Sequence, residues 1–434
     1  PPSLPPGSDI FDQDPLPLLV LNFEEQGIDE TDLPLVAFGD MLFDSAQIFG
    51  SPARDLGITC STCHNRSDIN QRLFVPGASH QPGAIDVDGA FFNPIFNDRR
   101  DGKPACVILN QDGTTHRVLD HPVYAINADA SHALTLDFGR LSRLRPEYGL
   151  RGIDDPNAGD PAPDDAGIYT LDLRTGAREL IVSIASLDEH VAPGETAPAG
   201  GDLHQHVNHV MFNPSGTRFC FMHRFERTDG ILPSRLFTAD TAGSDVRLLF
   251  EGLVSHYDWR DDETILAWAG KRSLLGGASS SRSPKQRVMS LARRTLKPVY
   301  YALGKPRILM NKILKDSYLL IRDAEMAPTR TFARGELMTD GHCTFSRGGE
   351  SPGRWVLTDG YPDLKSRQPL FLWDNASDAG VEIARLETPR ALDGDVRVDL
   401  HPRFSRNAAL VCVDSAADGG RRMYVFDVSS ITAG

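Results

Sequence analysis

From about residue 101 to the C-terminus, apolar and polar positions alternate in short runs separated by Gly, Asp, Asn and Pro. A period of two is typical of strands with one buried face, and these separating residues mark turns. Five segments repeat one plan: an aromatic residue or Ile, a polar turn, then an alternating apolar run. We predict a hairpin in each, at residues 126–136, 212–221, 259–268, 345–357 and 404–413.

Four of these hairpins are followed by a further pair of apolar runs that ends in a turn. Four strands in each repeat, at irregular spacing, predict the blades of a β-propeller with insertions. A half unit at 105–119 precedes the five repeats, so we expect an all-β propeller of five to six blades. Cys220 and Cys412 fall inside apolar runs, which predicts buried, unreactive thiols.

The N-terminal part has a different pattern. Residues 1–30 are rich in Pro and acidic residues and predict an extended lead-in. Asp32 and Pro34 then form a helix-start signal, and the apolar spacing of residues 36–43 is partly helical. We therefore expect a multidomain chain in which a small α-helical segment precedes the propeller.

The motif Cys60-Ser61-Thr62-Cys63-His64 follows this helix signal. Two thiols at this spacing reach both vinyl groups of a haem, and a His directly after the second thiol binds the iron. The motif predicts covalent haem c with His64 as the iron ligand and His80 as the possible distal ligand. A redox Cys pair, half of a zinc site and chance are the alternatives.

Residues 33–98, with Val36-Ala-Phe-Gly-Asp-Met-Leu-Phe-Asp and Ile58-Thr-Cys-Ser-Thr-Cys-His-Asn, resemble the first haem domain of the bacterial di-haem cytochrome c peroxidase and MauG-like family. The resemblance implies a partial cytochrome c-like domain at 31–98 and a possible oxidoreductase. The family uses two haems, whereas this sequence has one attachment motif. We therefore favour electron transfer to a partner protein over peroxidase catalysis.

Histidines recur at one position of the repeats, three residues before the opening aromatic residue. They are His209, His256, His342 and His401. Asp340 and Asp399 stand two residues before His342 and His401, on the same strand face. Imidazoles and a carboxylate in the central channel suit Mn or another divalent metal, or a general base with its orienting partner. A structural hydrogen-bond network is the alternative, and we interpret His204 and His206 as loop residues.

Residues 99–430 resemble bacterial TolB-like or WD40-like propellers distantly similar to oligogalacturonate lyase, through His209-Val-Met-Phe-Asn-Pro-Ser-Gly and Asp399-Leu-His-Pro-Arg-Phe-Ser. The resemblance implies a Mn site and β-elimination on uronates, with His342 and His401 at ligand positions and His256 near a catalytic one. Asp399 and Val396 replace a His and a Gln of that family. An acidic saccharide is the partner that this hypothesis predicts. The candidate channel site comprises His209, His256, His342, Asp399 and His401.

The net charge of −14 argues against a nucleic-acid partner, because phosphate contacts need concentrated Lys and Arg. An insertion at 271–315 is locally basic, with twelve Lys or Arg and no Asp or Glu between its terminal lysines. It predicts a solvated helix or, alternatively, contact with a membrane surface or polyanion. Covalent haem implies assembly outside the cytoplasm, so we expect a soluble periplasmic protein.

Overall fold

The structure is a computed structural model that describes most of residues 95–432 and two residue pairs before them, 86–87 and 90–91. The longest internal gaps are 191–202, 226–233 and 271–315. The haem prediction, with Cys60, Cys63, His64 and His80, lies outside the described residues. The basic insertion and the lead-in at 1–30 lie outside them as well.

The strands form successive antiparallel sheets that follow chain order. A short hairpin of β1 (Asp86–Val87) and β2 (Ala90–Phe91) precedes them. Sheet 1 contains β3 (Ile95–Arg100), β4 (Lys103–Leu109) and β5 (Thr115–Leu119). Sheet 2 contains β6 (Ala125–Ile126), β7 (His132–Leu136), β8 (Gly167–Asp172) and β9 (Arg178–Ser183).

Sheets 3 and 4 share one long strand. Sheet 3 contains β10 (Gln205–Phe212), β11 (Arg218–Phe225), β12 (Ser234–Asp240) and β13 (Arg247–Trp259). Sheet 4 continues from β13 through β14 (Thr264–Gly270), β15 (Ser317–Arg322) and β16 (Ala327–Thr331). Pairing of β13 changes from β12 to β14 after Gly252, whose φ of 147° lies in a region that favours glycine.

Sheet 5 contains β17 (Cys343–Phe345), β18 (Trp355–Asp359), β19 (Arg367–Asp374) and β20 (Ala379–Glu387). Sheet 6 contains β21 (Arg403–Phe404), β22 (Leu410–Ser415) and β23 (Arg422–Asp427). Among the described residues there are three short helices: α1 (Phe138–Leu144), a 3-10 helix (Ala185–His190) and α2 (Ser429–Thr432). None of the described helices has the length and apolar character needed to cross a membrane.

Five hydrophobic clusters join the six sheets in sequence. Each cluster is formed by the facing sides of two consecutive sheets; the cluster between sheets 2 and 3, for example, packs Leu134 and Ile168 against Phe221 and Phe237. The first strands of successive sheets contact each other, β6 with β10, β13 with β17 and β17 with β21. These strands therefore surround a common axis, as in a β-propeller.

All five predicted hairpins are confirmed, as β6–β7, β10–β11, β13–β14, β17–β18 and β21–β22. The half unit at 105–119 forms β4 and β5, and β3 completes its sheet. The predicted domain boundary at 98/99 falls within β3, because the polar stretch after Phe96 continues the strand up to Arg100. Cys220 and Cys412 are buried thiols that form no disulfide, and burial raises the pKa of the Cys220 thiol well above its usual value.

Candidate functional site at the innermost strands

β-bulges orient the histidines of two innermost strands. In β10, His209 and Val210 together oppose one residue of β11, and in β13 Ser255 and His256 do the same against β14. A bulge bends its strand and redirects a side chain. His209 (φ 54°) and His401 (φ 41°) also adopt positive φ, which non-glycine residues rarely do. Local backbone distortion thus accompanies three of the four recurrent histidines, His209, His256 and His401.

Three of the four recurrent histidines lie in a row. The ring centroids of His256 and His342 are 4.2 Å apart, and those of His342 and His401 are 3.9 Å apart. His209 is not part of this row, and its ring centroid lies 4.9 Å from that of Tyr148. Strand β13 and the residues just before β17 and β21 therefore bring together imidazoles that are far apart in sequence.

Each imidazole in the row has Nδ1 next to an oxygen. His256 Nδ1 lies 2.8 Å from Asp340 Oδ1, and His342 Nδ1 lies 3.0 Å from Asp359 Oδ2. His401 Nδ1 lies 3.1 Å from the carbonyl oxygen of Asp399. An N–H on Nδ1 would satisfy all three contacts and leave the Nε2 lone pair available to accept a proton.

The carboxylate partners differ from the intrastrand pairs that the sequence pattern suggests. Asp340 precedes His342 by two residues but contacts His256 of the neighbouring sheet. His342 instead contacts Asp359 at the end of β18, which also accepts a 2.6 Å hydrogen bond from the His342 backbone N–H. Gly341 permits this approach, since a Cβ there would lie 1.8 Å from the Asp359 carbonyl oxygen.

Neighbouring imidazoles in the row have opposite pKa shifts. Burial lowers the pKa of His342, but the carboxylates of Asp359, Asp399 and Asp340 outweigh it and raise the pKa overall. Burial, followed by the adjacent His342, lowers the pKa of His401 well below its usual value. Protonation of His342 is therefore favoured over protonation of the adjacent His401.

A pocket of about 230 Å³ opens at one end of this row, and we call it the channel pocket. His209 and His256 line it together with two arginines, two tyrosines and Asp340. Its lining is Arg145, Tyr148, His209, Arg224, Leu253, Val254, Ser255, His256, Asp340 and Tyr361. The pocket is smaller than typical sites for drug-sized ligands, so it suits a group about the size of one sugar ring.

Arg145 and Tyr148 line the pocket from the segment that follows helix α1. Buried Arg140 anchors the helix, because its guanidinium donates to backbone carbonyls including that of Gln205, at 2.6 Å, where β10 begins. Arg145 caps the helix, and its guanidinium carbon lies 5.1 Å from the Tyr148 ring centroid. Cation–π contact of this kind holds a charged group over an aromatic surface.

Arg224 supplies a second positive charge from β11. It is buried, and its guanidinium donates to Ser234 Oγ at 3.3 Å and to the Val254 carbonyl at 3.2 Å. Both acceptors are uncharged. Burial and then Arg145 lower the pKa of Arg224, as expected for two guanidinium groups that share a poorly solvated region. The channel pocket is therefore positive although the whole chain is acidic.

The predicted metal group of His209, His256, His342, Asp399 and His401 is not formed as a ligand set. Within the described residues, no three His, Cys, Asp or Glu side chains are grouped so that they could hold a metal ion. His209 lies apart from the row, and Asp399 Oδ1 accepts a 3.2 Å hydrogen bond from Gln368. The arrangement instead resembles imidazoles that are oriented by carboxylates.

The sequence interpretation missed several residues of the site. His206, interpreted as a loop residue, lies in β10 and is buried, because the strand starts before the recurrent His position. Arg145, Tyr148 and Arg224 carried no periodic signal that separates them from ordinary surface residues. Asp359 ends an apolar run in β18, and that polar end of a buried strand was the one available clue.

No family model and no curated protein matches the sequence. The six sheets define the protein as a β-propeller, and solved structures with this fold are similar to it. TolB from Acinetobacter baumannii is 13% identical with a TM-score of 0.36, and the match covers 87% of this chain and 67% of that one. The propeller domain of the Trilobed protease from Pyrococcus furiosus is 11% identical with a TM-score of 0.42, and the match covers 77% of each chain.

A third similar structure is an acylaminoacyl peptidase from Pyrococcus horikoshii, at 13% identity and a TM-score of 0.40. The match covers 77% of this chain but 42% of the peptidase, so the present chain spans less than half of that protein. At this level of identity the likeness concerns the fold alone. Function has to be argued from the side chains of the site.

Proposed function

We propose that the protein binds an acidic saccharide in the channel pocket and acts on it by general acid–base chemistry. The observation that carries this proposal is the presence of Arg145 and Arg224 in the same pocket as the His256–Asp340 pair. Guanidinium groups favour carboxylates, and an imidazole oriented by a carboxylate is a common general base. Tyr148 and Tyr361 add aromatic surface against which a sugar ring can pack.

The reaction that fits these groups is β-elimination on a uronate residue. His256 Nε2 takes the proton from the carbon that bears the carboxylate, and the electron pair left behind forms a carbon–carbon double bond. The bond to the glycosidic oxygen then breaks. His256, which now carries this proton, returns it to the leaving oxygen, while the arginines stabilise the negative charge that develops on the carboxylate.

The test measures oligogalacturonate binding by calorimetry and elimination by the ultraviolet absorbance of the conjugated product. His256→Gln preserves side-chain polarity but removes the base. We expect it to lower the elimination rate by roughly 10²- to 10⁴-fold while binding changes little. Arg145→Met removes a charged partner of the carboxylate and should weaken binding about tenfold or more.

Arg178→Gln is the matched control, because Arg178 is an exposed residue of β9 whose guanidinium carbon lies 4.3 Å from the Tyr169 ring centroid, outside the pocket lining. It should behave like the wild type in both assays. Equal affinity for neutral and acidic oligosaccharides would contradict the proposal that the arginines bind the carboxylate. Binding without elimination in the wild type would leave a saccharide-binding protein and contradict the acid–base step.

A second function is favoured by one specific observation, the motif Cys60-Ser61-Thr62-Cys63-His64. Its two thiols and the following imidazole are the donor set of covalent haem c, which supplies one-electron redox chemistry when bound. In this alternative the protein carries electrons to or from a partner protein, and assembly takes place outside the cytoplasm, in the periplasm of a bacterium. His80 is the candidate distal ligand.

Expression of the full chain with a haem-attachment system tests this second function. We expect a pyridine haemochrome spectrum of haem c that persists after acid–acetone extraction, because the thioether bonds are covalent. Cys60→Ala with Cys63→Ala should abolish it, while Cys220→Ala, a buried thiol of β11, should leave it unchanged. Wild-type protein without covalent haem would rule the function out.

A further inference from the structure

Two buried side chains of β10 have polar atoms without a hydrogen-bond partner among the described residues. His206 is 1% exposed and neither ring nitrogen has a partner, and Asn208 is 0% exposed with both amide atoms unpartnered. Buried polar groups in proteins are almost always hydrogen-bonded to protein, water or ligand. Two such side chains on one strand therefore mark a place where a ligand could complete hydrogen bonds that the described residues leave open.

These side chains lie on the same face of the β10–β11 pair as the side chain of Arg224. Positions two apart on a strand share a face, and His206 is the cross-strand partner of Arg224 in the β10–β11 register. Arg224 lines the channel pocket, and so does His209, the residue after Asn208. The unpartnered groups thus belong to residues next to two lining residues of the pocket, Arg224 across the strand pair and His209 along β10.

The chemistry of this cluster favours a negative ligand. Both hydrogen-bond acceptors of the Arg224 guanidinium are uncharged, and the Asp340 carboxylate that offsets part of its charge also pairs with His256. A buried charge is costly unless opposite charge compensates it. Burial, with Arg224 and Arg145 as the next causes, lowers the pKa of His206 well below its usual value. His206 is therefore neutral and offers one N–H donor, and the Asn208 amide offers two more.

We propose that Arg224, His206 and Asn208 form an inner anion subsite behind the channel pocket, and that it receives the carboxylate of the bound saccharide. The first half of this inference rests on the geometry of β10 and β11 alone, and the second half rests on the function proposed above. A free inorganic anion would present the same chemistry, so the experiment separates the two sources.

The first arm uses bromide as the probe and records the melting temperature of the full chain across bromide concentrations. We expect a saturable rise for the wild type. Asn208→Leu keeps the side-chain volume but removes the donors, and should weaken the apparent bromide affinity about tenfold or more. Asn208→Asp places a carboxylate beside Arg224 and should abolish the response in a protein that stays folded by circular dichroism.

Arg178→Gln again serves as the control and should respond to bromide as the wild type does. An equal bromide response in the wild type and in both Asn208 variants overturns the subsite, because the effect would then be a general salt effect. Lack of any response in the wild type overturns it as well.

The second arm titrates galacturonate with and without saturating bromide. Competition, seen as a weaker apparent galacturonate affinity in bromide, supports the carboxylate as the natural occupant. Galacturonate affinity that is independent of bromide overturns that assignment. If bromide binds but galacturonate does not, the function proposed above fails, while the subsite is supported as a site for an inorganic anion.

Discussion

At the scale of single residues, burial sets the charge of His223. His223 of β11 is fully buried, and its Nε2 lies 2.8 Å from Gln205 Oε1. Burial and then Arg235 lower its pKa from 6.5 to about 3. Its imidazole is therefore neutral in the folded protein over the whole physiological range.

This shift predicts that His223 makes stability depend on pH. Below about pH 6.5, the ordinary pKa of histidine, His223 binds a proton in the unfolded chain. In the folded protein it does not bind this proton until about pH 3, so the free energy of unfolding decreases as pH falls. The expected loss attributable to His223 is about 2 kcal/mol between about pH 7 and about pH 5. Urea unfolding at a series of pH values measures it.

His223→Gln removes the titration and should make the acid-side decrease shallower by that amount. His132→Gln, at an exposed position of β7, should leave the pH dependence as in the wild type. Parallel pH profiles for the wild type and His223→Gln would show that His223 is not held neutral by burial.

Part of the site was predictable from the sequence. Spacing from an aromatic residue identified His256, His342 and His401, because equivalent positions in repeated sheets must converge on the axis. Spacing did not show which histidine each carboxylate contacts, since Asp340 precedes His342 by two residues but contacts His256 of the neighbouring sheet. Contacts between sheets depend on the stagger of the innermost strands, which a single sequence does not specify.

At the scale of elements, buried tyrosines on both sides of β10 hold its bulge in place. The His209 backbone N–H donates to Tyr124 Oη at 3.0 Å, and Tyr257 Oη donates to the His209 carbonyl oxygen. Burial raises the pKa of Tyr124 to about 12 and that of Tyr257 well above its usual value. Both hydroxyls therefore stay protonated and available for these hydrogen bonds.

Removing one of these hydroxyls should destabilise the bulge. Tyr257→Phe leaves the His209 carbonyl without its donor, and the expected decrease in the free energy of unfolding is about 1–2 kcal/mol, measured by chemical denaturation. Tyr424→Phe is the control, because its hydroxyl donates to the exposed carboxylate of Asp418, and it should change stability by less than about 0.5 kcal/mol.

A result for Tyr257→Phe as small as that for Tyr424→Phe would mean that the positive φ of His209 is held by other contacts. The alternating pattern in the sequence predicted the hairpin that contains this bulge. The bulge itself was not predictable, because an extra residue in a strand leaves the apolar alternation on either side intact and becomes visible only in the register with β11.

At the scale of the whole molecule, stability is distributed over the interfaces between consecutive sheets. Asp323 after β15 forms an ion pair with Arg218, at 2.9 Å, and accepts hydrogen bonds from Thr238 and Arg247 of sheet 3. Asp258 of β13 accepts one from the Phe345 backbone N–H of β17 at 2.8 Å. Polar contacts therefore join the same sheets that the hydrophobic clusters join, and the sheets should unfold together.

The tryptophans allow a direct test of this coupling, because all four lie in sheets 4 and 5. They are Trp259, Trp268, Trp355 and Trp373. Phe221 is buried in the cluster between sheets 2 and 3, where its ring stacks on Phe237 with centroids 5.5 Å apart. Phe221→Ala should lower the free energy of unfolding by about 3–5 kcal/mol through the lost contacts and the resulting cavity.

If the sheets unfold as one unit, tryptophan fluorescence and far-ultraviolet circular dichroism should shift to the same lower denaturant midpoint in Phe221→Ala. Val381→Ala, at an exposed position of β20, should leave both midpoints in place. A fluorescence midpoint that stays at the wild-type value while the circular dichroism midpoint falls would show that sheets 2 and 3 unfold independently of sheets 4 and 5. The channel pocket, which takes residues from both pairs of sheets, would then open before sheets 4 and 5 unfold.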